Sequence, residues 1–143
     1  MLTNLGKEAA AVPIPDNSAL IRIGQIAINV HDVDRATTFY RDVLALPLLF
    51  RAGQLSFFDC GGVRLMLSAA AKPEFDHPSS ILYLQVADIH DAFHRLQSAG
   101  ANFEDQPHLI ARMPTHDLWI THFRDSENNL LALMSEVVPP AAP

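Results

Sequence analysis

The chain has 143 residues, enough for one domain with a sizeable core and too few for two of ordinary size. Hydrophobic residues make up 49% and charged residues 18%, a balance that excludes wholesale disorder; the formal charge of −6 argues against nucleic acid as a partner. One cysteine (Cys60) excludes an internal disulfide, no apolar run approaches a membrane span, and the N-terminus carries no secretory pattern, so a cytoplasmic location without membrane association is expected.

Residues 1–20 contain Pro13, Pro15, Asp16, Asn17 and Ser18 without sustained periodicity and read as a flexible arm. Ile26, Ile28 and Val30 then alternate with Gln25, Ala27 and Asn29, which predicts a strand with one apolar face. Asp32 is placed as an N-cap for a helix carrying Ala36, Phe39, Tyr40, Val43 and Leu44 and ending near Pro47. Strand patterns follow over 48–51, 55–59 and 63–68, the last two joined by a hairpin through Cys60-Gly61-Gly62. A further strand begins at Leu82, and Asp88 caps a helix whose Ile89, Ala92, Phe93 and Leu96 form one stripe before a stop at Gly100. A short strand near Phe103 precedes strands over 118–123 and 130–134, joined by a turn over 125–129. Residues 138–143, rich in proline, read as a loose tail.

The two halves repeat. Residues 26–36 overlay residues 82–92 at an offset of 56, with Val30/Val86, Asp32/Asp88 and Ala36/Ala92 identical. One domain over 21–137 is therefore expected, built from two units over about 21–69 and 79–137. The fold class is α+β: two βαβββ units forming curved mixed sheets around a cavity, with the helices outside.

The segment 25–44, with its Phe39-Tyr40 pair, resembles the opening strand and helix of the vicinal oxygen chelate superfamily, which includes glyoxalases, bleomycin-resistance proteins and extradiol dioxygenases. The segment 123–133 resembles that family's closing turn and strand. The resemblance spans residues 22–136 and implies the two-unit fold, a homodimer and a small-molecule ligand. It also implies four metal-ligand positions on the first and last strand of each unit. Counted along this chain they fall on Gln25, Leu65, Ile81 and Ala132, of which only Gln25 offers a donor. No metal ligands and no cofactor are therefore expected.

The seven histidines offer little rescue. His90 and His94 have i, i+4 spacing but flank a buried stripe, and read as solvated helix residues. His116 and His122 share strand parity; which face of the strand over 118–123 lines the cavity is left open by the pattern. Cys60, beside two glycines and without a basic neighbour, reads as inert.

The leading expectation is a small-molecule-binding protein with the usual metal site lost. Phe57, Tyr83, Trp119 and Phe123 would wall the cavity; Gln25, Asn29 and Gln85 would supply sparse polar contacts, with His116 also able to orient the ligand. The alternative is a glyoxalase-like lyase or isomerase, or a dioxygenase, acting on a small carbonyl or aromatic substrate. It would use non-standard metal ligands or metal-free acid–base chemistry, with His116, and His122 behind it, as the catalytic candidates. Whether the chain is an enzyme stays open at this point.

Overall fold

Alternating apolar positions and two aspartate caps organise the described residues, 17–140, of the structure, a computed structural model. The first unit consists of β1 (Gln25–Asn29), α1 (Val33–Thr38) continuing as a π-helical turn (Phe39–Val43), β2 (Leu48–Ala52), β3 (Leu55–Cys60) and β4 (Val63–Ser68). A 3₁₀ turn (Pro73–Phe75) lies in the connection to the second unit. That unit holds β5 (Leu82–Gln85), α2 (Ile89–Ser98), β6 (Asn102–Phe103), β7 (His108–Arg112), β8 (Asp117–Arg124) and β9 (Leu130–Val137).

The sheets run in the order β1-β4-β3-β2 and β5-β9-β8-β6, with β7 also paired to β8. Each is mixed, because β1 pairs with β4 and β5 with β9 in parallel while the other pairings are antiparallel. The internal repeat survives in the register: Ala27 lies beside Met66 as Tyr83 lies beside Ala132. Both caps form. Asp32 accepts the Arg35 backbone N–H, and Asp88 accepts those of His90 and Asp91.

β7 is an addition to the expected elements. It follows Pro107 and shifts register between Leu109 and Ala111, and this irregularity hides it from an alternation count. Together β6 and β7 make one interrupted edge along β8. The first helix also differs from a plain α-helix: the Leu44 N–H reaches Phe39 O at 3.1 Å, a π-type bond. The chain then turns at Ala45, whose φ is 58°, with the Leu46 N–H returning to Tyr40 O. An exposed alanine in the left-handed region carries a Cβ penalty that glycine lacks. Ala45→Gly should therefore stabilise the fold by about 1 kcal/mol in a urea melt; a loss of stability would contradict this reading of the turn.

One core serves both units. It joins Ile28, Leu65, Leu67 and Phe58 beneath α1 to Leu131, Leu133 and Phe123 beneath α2. A clasp closes the joint. The turn between β8 and β9 reaches back to the start of α1, where Glu127 Oε1 accepts the backbone N–H groups of His31 and Asp32, each at 2.9 Å. Arg35 donates to both carboxylate oxygens of Glu127, at 2.7 and 3.0 Å. Beside it, the buried Tyr40 hydroxyl donates to Asp125 at 2.8 Å, and the Asn129 amide donates to Asn29 O at 2.9 Å. Burial, reinforced by the Asp125 carboxylate, pushes the Tyr40 phenol well above its ordinary pKa.

The arm expected over 1–20 lies outside the described residues as far as residue 16, as do residues 141–143 of the expected tail. No described helix is long and apolar enough to cross a membrane.

Candidate functional site

In a strand, successive side chains leave opposite faces of the sheet, so packing against the helix on one face defines an open face on the other. In the first sheet the open face carries Gln25, Ala27 and Asn29 from β1, Met66 from β4 and Phe57 from β3. In the second it carries Tyr83 and Gln85 from β5, Ala132 and Glu136 from β9, and Ile120 and His122 from β8. Tyr83, Ala132 and His122 form one row across three strands, and the Tyr83 and His122 rings meet edge to face at 6.1 Å.

His122 is held from below by Asp105. One Asp105 oxygen accepts the Thr121 hydroxyl and the His122 backbone N–H, both at 2.8 Å. The other lies 3.2 Å from His122 Nδ1. Partial burial works to raise the Asp105 pKa, but the backbone and side-chain donors of His122 and Thr121 outweigh it and hold the carboxyl below its ordinary value. An ionised Asp105 draws the proton of a neutral imidazole to Nδ1 and leaves Nε2 as an acceptor. His116 also reaches the open face, where its Nε2 sits 3.4 Å from Glu136, which also accepts from the Gln85 amide at 3.4 Å. His122 and His116 therefore each have a carboxylate, whereas His108, opposite Ile120 on the same face, has only the Gln106 carbonyl oxygen, 2.8 Å from its Nδ1.

Two of the expected wall residues lie elsewhere. Phe123 is fully buried in the helix-side core, and Trp119 packs edge-on against His90 of α2. The strand over 118–123 is apolar on both sides, so only its pairing with β9 shows which side meets the helix. Phe57 does face the open side, stacked on Phe50 at 4.4 Å with the Arg64 guanidinium 5.5 Å from its centroid. Asn29 spends both amide hydrogens on the carbonyls of Phe75 and His77, at 2.8 and 2.7 Å, and so holds the inter-unit connection. It lines a cleft of about 780 Å³ at the seam of the units, together with His31, His77, Ile81, Arg124 and Leu130. Cys60 is half-buried at the end of β3, and burial pushes its thiol up.

The metal-ligand mapping needs one correction. Leu65 is 2% exposed and points to the helix side, so the open-face counterpart of Ala132 is Met66. Counting one residue off along a strand changes the face. Gln25 is already engaged, accepting from Arg64 Nε at 2.8 Å and donating to the Met66 sulfur at 3.6 Å. An amide, a thioether and the side chains of Ile81 and Ala132 do not fit a divalent ion, which wants several oxygen or nitrogen donors with carboxylate or imidazole among them. Among the described residues there is no group of three or more His, Cys, Asp or Glu suited to a metal.

Asp105, Glu136 and Arg64 were not among the expected site residues. Asp105 lies 17 positions before His122, in a loop without a local motif, and only the β6–β8 pairing brings the two together. Glu136 sits beyond the strand expected to end at 134, and the alternation carries it to the open face once β9 is seen to extend to Val137.

Comparison with known proteins agrees with the architecture. An uncharacterised protein of Bacillus subtilis (strain 168), YraH, is 24% identical over 127 residues, covering 79% of this chain and 97% of that protein. The lactoylglutathione lyase of Agrobacterium tumefaciens superposes with a TM-score of 0.62 at 23% identity, over 82% of this chain and 95% of that one. TioX from Micromonospora sp. ML1 superposes with a TM-score of 0.66 at 20% identity, over 81% and 99% of the respective chains. The sequence model for the glyoxalase/bleomycin resistance protein/dioxygenase superfamily matches residues 22–133, and with the two-unit fold this places the chain: it belongs to that superfamily.

Proposed function

We propose that the protein binds a small organic molecule on its open sheet faces without a metal. The observation that carries this reading is the side-chain set at the four family positions, Gln25, Met66, Ile81 and Ala132, within faces that carry Phe57, Tyr83 and Gln85. Such a surface holds a ligand by enclosure. Apolar burial is worth about 25 cal/mol per Å², and a few amides and imidazoles fix orientation. Phe50, Ile81 and Tyr83 are 47%, 42% and 47% exposed, which leaves both faces open in a single chain. A second copy of the chain closes them, so the working form is a homodimer.

A second reading rests on the Asp105–His122 pair. An imidazole fixed by a carboxylate can move a proton to or from a carbonyl compound, as in metal-free acid–base catalysis. One experiment addresses both readings. Chelator-treated protein is screened by thermal shift against metabolite-like aromatic and carbonyl compounds, with sedimentation to read its mass. Ligands that raise Tm in wild type and fail in Tyr83→Ala support binding, and conversion of such a ligand, abolished in His122→Asn, supports the enzyme. No stabilising compound from the screen, together with a monomer in solution, would overturn the proposal.

A further inference from the structure

Resting on the reading that the open faces hold a small molecule, we infer that Arg64 and Arg22 form a site for the carboxylate of a planar aromatic acid, beside Gln25 at the edge of the first sheet. The chain is acidic overall, and its arginines mostly have carboxylate partners: Arg35, Arg41, Arg51, Arg112 and Arg124 are all ion-paired. Among the described residues Arg22, Arg64 and Arg95 have none, and of these Arg22 and Arg64 line the same cleft. That cleft, of about 530 Å³, also contains Gln25, Leu49 and Asp59. Arg64 uses Nε on the Gln25 carbonyl oxygen, at 2.8 Å, and its terminal nitrogens make no hydrogen bond to a described residue. Arg22 uses one terminal nitrogen on the carbonyls of Gly62 and Ile23, at 3.3 and 3.4 Å, which leaves its other donors for a ligand.

The surroundings specify more than an anion. The Arg64 guanidinium lies over Phe57, which stacks on the half-exposed Phe50. A guanidinium seated on a ring presents its planar edge to an oxyanion, and a carboxylate matches that fork. Leu49, 49% exposed, and Phe50 supply apolar area next to it for an aromatic ring. Asp59 contributes one negative charge to the cleft while accepting the Gly62 N–H at 3.2 Å. Two cations against one anion leave room for a single carboxylate and disfavour a doubly charged phosphate.

The test uses 2-naphthoate and its neutral isostere 2-naphthamide, titrated calorimetrically into the full-length protein. Naphthoate should bind about tenfold tighter than the amide, a preference worth about 1.4 kcal/mol, and added salt should reduce it. Arg64→Gln and Arg22→Gln, checked by thermal melting, should lose that preference while still binding the amide; Arg64→Lys should recover only part of it. Equal affinity for acid and amide in wild type overturns this inference and leaves the small-molecule reading intact, as does a preference untouched by Arg64→Gln. Inorganic phosphate competing as well as naphthoate also overturns it. Failure of both naphthalene probes to bind overturns the inference, while the shared reading falls only if the thermal-shift screen is also blank and the protein is a monomer.

Discussion

Glu127→Ala destabilises the protein by about 3 kcal/mol, the loss expected when one partner of a buried, hydrogen-bonded charge pair is removed. The Glu127 side chain is fully buried and accepts five hydrogen bonds, from His31 N, Asp32 N, Ser126 Oγ and two Arg35 nitrogens. Alanine leaves two backbone donors at the start of α1 without an acceptor and unties the β8–β9 turn from the first unit. Arg35 can turn to solvent, since its side chain is 56% exposed, so the loss lies mainly with the backbone donors and the joint. The same carboxylate gives a pH signature. Burial works to raise its pKa, but Arg35 and the two backbone N–H groups win and bring it to about 2 from an ordinary 4.5. Because the folded value is the depressed one, the stabilisation is full above pH 4.5 and is lost as pH falls from there towards 2. The difference corresponds to about 3 kcal/mol by linkage. Urea melts at pH 7 and pH 3 should show wild type losing more stability than Glu127→Gln over that interval. Parallel losses in the two proteins would mean that the clasp carries no such energy.

That clasp marks where reading the chain stops being enough. The repeat, the two caps and the alternation in β1 depend on short sequence patterns, so local sequence carries them. Glu127 acts on residues 92 to 96 positions away, and nothing near it reveals that a turn glutamate has become the buried centre of an inter-unit joint. β8 presents a different difficulty. Leu118 and Ile120 make one side as apolar as Trp119 and Phe123 make the other, so periodicity is silent and the partner strand decides. Phe123 then belongs to the core and His122 to the open face, where Asp105 orients it. At β4, Leu65 and Met66 are equally apolar, and a count from Gly62 reaches the buried one; the pairing of Ala27 with Met66 identifies the other. What is legible is the frame. What is not legible is the choice of face wherever both faces are hydrophobic.

The choice of face can be tested by building a metal site. Gln25→His with Met66→Glu places two donors on the open face of the first sheet, and Ile81→His with Ala132→Glu places two on the second. Either pair alone offers an imidazole and a carboxylate, which holds Zn²⁺ or Ni²⁺ weakly because half the ion's shell is still water. When a second copy brings the two open faces together, as proposed, all four converge in the combined variant. Its affinity should exceed that of either double variant by at least about a thousandfold, or about 4 kcal/mol. Mixing the two double variants and letting subunits exchange should create tight sites that neither possesses alone. Ala132 is fully buried, so its glutamate needs the half-exposed Tyr83 ring to swing aside, and a thermal melt must accompany each titration. The corrected register also provides a control: Leu65→Glu in place of Met66→Glu points its carboxylate into the helix-side core, so it should destabilise the fold without improving metal binding. If the fourfold variant folds, dimerises and holds the ion no better than its halves, the two open faces do not meet and the enclosed site must be abandoned.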